Sequence, residues 1–204
     1  MSAARGRTNQ DGESATVRLL PLSKDPFQAP VDRDMLPSER RLFVRTHRTC
    51  VFGYGRRSDG PAMSVVYYVP AENDDLFVAT MAERSKAKAV ARNGKISLCI
   101  LDEKWPFAYL QVYCDAVIDD DGEALADVMM AVAERMSGEP LGPELRPVVK
   151  ALGEEEGRVL LRCRPYATFV TPPRHLHRND QEEPLTHWVS ASMPWAAADT
   201  RDGA

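Results

Sequence analysis

No two cysteines of this 204-residue chain lie close enough to form a CxxC pair, no apolar run approaches a membrane span, and positive charge is not in excess. Each absence excludes a class. Cys50, Cys99, Cys114 and Cys163 sit singly in strand-like runs. Such thiols read as small core hydrophobes kept reduced, not as a disulfide framework or a zinc site. The net charge of −4 argues against a nucleic-acid partner. The N-terminal residues carry no signal-peptide-like apolar stretch, so the expectation is a cytoplasmic protein with no membrane partner. No Ser-His-Asp or Cys-His constellation stands out, so the catalytic residues are unassigned. His175 and His177 form a His-x-His spacing, but no Cys or carboxylate of matching spacing supports a metal site, and none is expected. No internal repeat is visible. A 44% hydrophobic content suffices for the core of one sizeable domain.

What is present centres on residues 76–101, LFVATMAERSKAKAVARNGKISLCIL. The run reads as strand, turn, short basic helix, strand. Thr80 closes the first strand, and Arg84, Ser85 and Lys86 open the helix. A helix N-terminus offers free N–H groups and the positive end of its dipole to anions, and Lys and Arg add full charges. The pattern is that of a phosphate site. It is also that of a solvated basic helix face.

The rest of the chain places this stretch. Residues 1–30 are polar, aperiodic and Pro-bearing, the composition of a flexible arm. Pro37 and Glu39 suit the first turn of a helix from Pro37 to Thr46, with Arg40 and Arg41 expected to face solvent or an anion. TCVFGYGRRSDGPAMSVVYYV reads as a hairpin whose turn holds Asp59-Gly60, with Met63 to Val69 as its returning strand. Further strands are expected from Leu76 to Thr80, Lys95 to Leu101, Phe107 to Ile118 and from Arg158 toward Val170. Helices are expected at about 83–92 and 121–136, with a short one at 148–152. The fifth strand separates Leu110, Val112, Cys114, Ala116 and Ile118 on one face from Tyr109, Gln111, Tyr113 and Asp115 on the other. The first face suits a core; the second suits a partner subunit or a planar ligand. Six strands with helices between them predict a mainly β fold, a small antiparallel barrel with α additions. Residues 31–172 form the domain. Residues 173–204, with Trp188, Met193 and Trp195, form an extension that packs on the body or on a second chain.

The order CVFGYGRRSDGPAMSVVYYV, LFVATMAERSKAKAVARNGKISLCIL and WPFAYLQVYCDAVI, from about Leu36 to Val170, resembles the FMN-binding split-barrel family related to pyridoxamine 5′-phosphate oxidase. The resemblance implies a six-stranded antiparallel split β-barrel, a homodimer with a flavin-type cofactor in each of two clefts between the subunits. Matched position by position, Thr80, Ser85 and Lys86 fall on phosphate-binding positions, with Ala79 and Arg84 beside them. Met63, Ser64, Val65, Val66 and Tyr67 fall on the strand along the isoalloxazine ring, and Tyr109 near that ring. Three departures are visible. Ser85 stands where the oxidase proper has an Arg, Cys114-Asp115-Ala116 stands where Gly-x-Ala is common, and the oxidase's C-terminal Arg-x-His signature has no equivalent here.

The resemblance therefore implies a flavin-dependent oxidoreductase passing a hydride between FMN and a small planar substrate. The alternatives are a reductase using the deazaflavin coenzyme F-420, whose anionic tail needs an extended basic groove, part of which Arg56, Arg57, Lys86, Lys88 and Arg92 could supply, and a non-catalytic flavin- or haem-binding protein.

Overall fold

The computed structural model describes residues 18–23, 27–28, 30, 34–102, 108–170 and 192–199. The first helix, α1 (Pro37–Thr46), leads into a hairpin of β1 (Thr49–Tyr54) and β2 (Ala62–Tyr67). There follow β3 (Val69–Pro70), β4 (Leu76–Met81), α2 (Ser85–Asn93), β5 (Lys95–Asp102) and β6 (Ala108–Asp119). The chain continues through α3 (Gly122–Ser137), α4 (Arg146–Glu155), β7 (Arg158–Phe169) and β8 (Ser192–Pro194).

The strands form one antiparallel sheet in the order β2-β1-β5-β6-β7-β4-β3, with β8 added to β7. The two ends of that order, β2 and β3, are separated in sequence by Tyr68 alone. Consecutive Cα atoms are about 3.8 Å apart, so the ends of the sheet meet at one corner and the sheet must curl. This is the geometry of a barrel left open along one seam.

The strand count corrects the expected six. Among the described residues there are eight strands. The run expected as one returning strand breaks at Tyr68, which is fully buried and donates its hydroxyl to the Val44 carbonyl at 2.5 Å. The break lets β2 pair with β1 while β3 pairs with β4. The eighth strand, β8, lies against Ala167–Phe169, alongside the part of β7 that β4 does not cover.

Row by row, the register separates core from surface. Ser64, Phe52, Leu98, Val112 and Thr168 lie side by side across five strands, and the last four are buried. The next row, Val65, Val51, Cys99, Gln111 and Phe169, faces out and is half-buried or exposed. Strand β4 lacks this alternation because it is covered twice. Leu76 and Val78 belong to the barrel core, whereas Phe77 packs with Val128 and Leu160 under α3. Strands buried on both faces read as continuous apolar runs.

Local signals set the helices. Asp121 caps α3 by accepting from the Glu123 and Ala124 N–H groups at 3.0 Å. Gly94 ends α2 at φ 70°, and its carbonyl accepts from Ala116 N–H at 2.7 Å. Arg40 does not face solvent as expected. It is 1% exposed, donating from Nε to the Met35 carbonyl at 3.1 Å and from Nη1 to Thr168 Oγ1 at 2.9 Å. Arg41 Nη1 donates to the carbonyls of Trp195 and Ala197, which fastens residues 192–199 onto α1. At the other end of the sheet, Leu20 N–H donates to the Pro70 carbonyl at 2.8 Å.

Candidate cofactor cleft

At the end of β4 the chain turns through Ala82–Arg84 and enters α2 at Ser85. The cap residue Arg84 is extended, and no side chain caps the helix. The first-turn N–H groups, which a helix cannot satisfy internally, are thus left without a cap. Ala82 N–H donates to the Gly157 carbonyl at 2.9 Å, tying this turn to the one that precedes β7.

These elements border a cleft of about 400 Å³ lined by Tyr54, Ser64, Ala79, Thr80, Met81, Arg84, Ser85, Lys86 and Arg158. Six residues named from the sequence thus come together here: Ser64, Ala79, Thr80, Arg84, Ser85 and Lys86. Tyr54 and Met81 were not foreseen; Arg158 reads from the sequence as part of a basic strand face with Arg162 and Arg164, open to an anionic cofactor tail or substrate but favoured as a solvated or salt-bridged face. Arg158 faces Met81 across the β4–β7 register, a pairing that no local pattern announces.

The electrostatics of the cleft are those of a site short of an anion. Neither Arg84 nor Lys86 pairs with a carboxylate among the described residues. Burial, and then the positive charge of Arg84, lower the Lys86 pKa. An entering anion would counter both effects. On the inner row of β2, Ser64 Oγ is enclosed without a hydrogen-bond partner. A buried hydroxyl left unpaired costs about 1–3 kcal/mol, so a polar group of a ligand would relieve it. Thr80 is 7% exposed at the cleft floor. The donor set fits a phosphate: two cations, hydroxyls and an uncapped helix start.

A second depression of about 200 Å³ adjoins the first, sharing Tyr54 and Ser85. Arg56, Arg57, Lys88 and Arg92 line it. Arg56 pairs with Asp59 at 2.7 Å, and Arg92 Nη2 donates to the Gly55 carbonyl at 2.7 Å. Arg57 and Lys88 pair with no carboxylate among the described residues.

The other named residues lie elsewhere. Met63 and Val65 project outward, 71% and 73% exposed. Val66 and Tyr67 are half-buried, and Tyr109 faces Leu101 across the β5–β6 register. His175, His177, His187 and Trp188 lie outside the described residues. Among those described, the one histidine is His47, away from the cleft. It shares its Nδ1 proton with the Phe43 carbonyl at 2.7 Å, and its Nε2 lies 3.8 Å from Asp102 Oδ2. No described histidine therefore lines the cleft for haem. No group of three or more metal-ligating side chains occurs among the described residues, and none of the helices described is long and apolar enough to cross a membrane.

Comparison with known proteins fits this geometry. The sequence profile of the pyridoxamine 5′-phosphate oxidase family matches residues 36–167. No curated protein matches in sequence. Among solved structures, the conserved hypothetical protein Rv2991 from Mycobacterium tuberculosis superposes with a TM-score of 0.61 at 22% identity, over 77% of this chain and 97% of that one. ChuZ of Campylobacter jejuni does so with a TM-score of 0.52 at 11% identity, over 67% of this chain and 55% of that one. A heme binding protein from Mycobacterium smegmatis gives a TM-score of 0.51 at 13% identity, over 81% and 60%. At these identities the structures speak for the fold, and the profile match speaks for descent: the chain belongs to the pyridoxamine 5′-phosphate oxidase family.

Proposed function

We propose that the chain is an FMN-dependent oxidoreductase, working as a homodimer on a small planar substrate. The observation that carries this reading is the pair of cations without carboxylate partners, Arg84 and Lys86, at the uncapped start of α2 beside Thr80. These residues hold the cofactor's phosphate, and Ser64 Oγ supplies a hydrogen bond from the inner row of β2. Bound FMN supplies hydride transfer; the chain contributes binding, orientation and exclusion of water.

The homodimer rests on the outer face of the sheet. Val65, Val51, Cys99 and Phe169 run across it, with Met63 exposed at its edge and Tyr113 stacked on Tyr166 at 6.3 Å. Met63 and Val65 leave apolar side chains exposed on this face, so it suits a second copy of the chain.

A second reading has its own observation. The Arg57 and Lys88 depression extends the cleft's positive charge beyond what one phosphate needs. The deazaflavin coenzyme F-420, with its anionic tail, would use that extension. An absorption spectrum of purified protein titrated with each cofactor separates the readings. Saturable binding of FMN supports the first, and preference for F-420 that is lost in the Arg57→Ala, Lys88→Ala variant supports the second. Binding of neither rejects both. Binding without turnover in the presence of reductant and acceptors makes the protein a cofactor carrier.

A further inference from the structure

Arg158 has no assigned role. It stands at the first position of β7, opposite Met81, where it borders both this cleft and the depression beside α3 and α4 that Asp119, Lys150 and Glu154 also line. Its Nε pairs with the Glu156 carboxylate, and its terminal nitrogens have no partner among the described residues. A guanidinium held by one edge still presents its other donors in a fixed plane, an arrangement suited to phosphate oxygens. The backbone around it is constrained. Gly157, between Glu156 and Arg158, adopts φ 58°, and its carbonyl accepts from Ala82 N–H in the turn that leads to α2. The turn bearing Arg158 and the turn bearing Arg84 and Lys86 are therefore joined by a direct hydrogen bond.

We propose that Arg158 is a third phosphate-holding residue of this cleft, oriented by Glu156, so that the cofactor's phosphate is gripped from two walls of the barrel, α2 and β7. The inference rests on the phosphate reading above. It also offers a remedy for Ser85: a charge contributed from the β7 wall stands in for one absent from the helix.

The test compares FMN with riboflavin, which differs only in lacking the phosphate. Flavin fluorescence is titrated with wild-type protein and with the Lys86→Ala, Arg158→Ala, Arg158→Lys, Glu156→Ala and Glu156→Gln variants. Wild type should prefer FMN. Arg158→Ala should lower that preference about tenfold, equal to about 1.4 kcal/mol, with riboflavin affinity and the far-ultraviolet circular dichroism unchanged. Arg158→Lys should retain part of it. Glu156→Ala should act in the same direction with smaller effect, and Glu156→Gln, which keeps an oxygen acceptor for Nε, should restore most of the loss. If Lys86→Ala loses the preference while Arg158→Ala keeps it, Arg158 is no ligand and the inference fails alone. If wild type does not distinguish FMN from riboflavin, the phosphate reading fails and the inference falls with it.

Discussion

Lys86 and the buried thiols show what burial does to single residues here. At Lys86, burial and then the neighbouring charge of Arg84 lower the pKa. The thiols of Cys50, Cys114 and Cys163 respond in the opposite sense. Burial pushes each upward, Cys163 to about 12. Unfolded, the same thiols ionise near 8.5. Raised native values mean that their contribution to stability is complete below about pH 8.5 and is lost as pH climbs from there toward 12. The denaturation midpoint in urea should therefore fall between pH 8 and pH 10, and fall less in a Cys163→Ala variant than in wild type. An equal fall in both would remove Cys163 from the account. A thiol reagent at pH 8 should spare Cys50, Cys114 and Cys163 in the native protein and label all four cysteines after unfolding.

At the scale of elements, the connection from β4 through α2 to β5 positions the cleft, and Gly94 ends its helix. Gly94 has φ 70°, and a Cβ there would lie 2.9 Å from the Ala116 carbonyl oxygen. Gly94→Ala should destabilise the fold by at least about 1–2 kcal/mol from the backbone conformation alone, measured as a shift in the urea midpoint. The Asn93-Gly94 stop was legible in the sequence because it is local chemistry, and so was the Thr80 to Lys86 turn, whose parts are neighbours in the chain. The split of Met63 to Val69 into β2 and β3 was not legible. The five residues Val65 to Val69 all favour a strand, and what divides the run is the hydroxyl of a fully buried Tyr68 reaching α1. Arg158 was legible only as one of a basic strand face with Arg162 and Arg164; its place at the cleft was not, because only the β4–β7 register brings it to Met81. Arg40 looked like a surface residue because nothing local reveals that Met35 and Thr168 will receive its donors.

For the whole molecule, the curled sheet makes two surfaces with different tasks. The inner rows form the core, and Phe52→Ala there should cost about 3–5 kcal/mol of stability. The outer face at Val65, exposed in one chain, is the proposed seat of the partner subunit. A charge placed there by Val65→Asp should yield a monomer by light scattering with an unchanged circular dichroism spectrum. If the cofactor lies between subunits, FMN affinity should fall with it. A wild-type protein that is monomeric at micromolar concentration would contradict the proposed interface.

The central claim is that the start of α2 holds a cofactor phosphate, and it is tested most directly by equilibrium titration of FMN into wild-type protein and the Lys86→Ala variant. The account predicts saturable binding by wild type and affinity at least about tenfold weaker in the variant, about 1.4 kcal/mol. Equal affinity in the two proteins would contradict it.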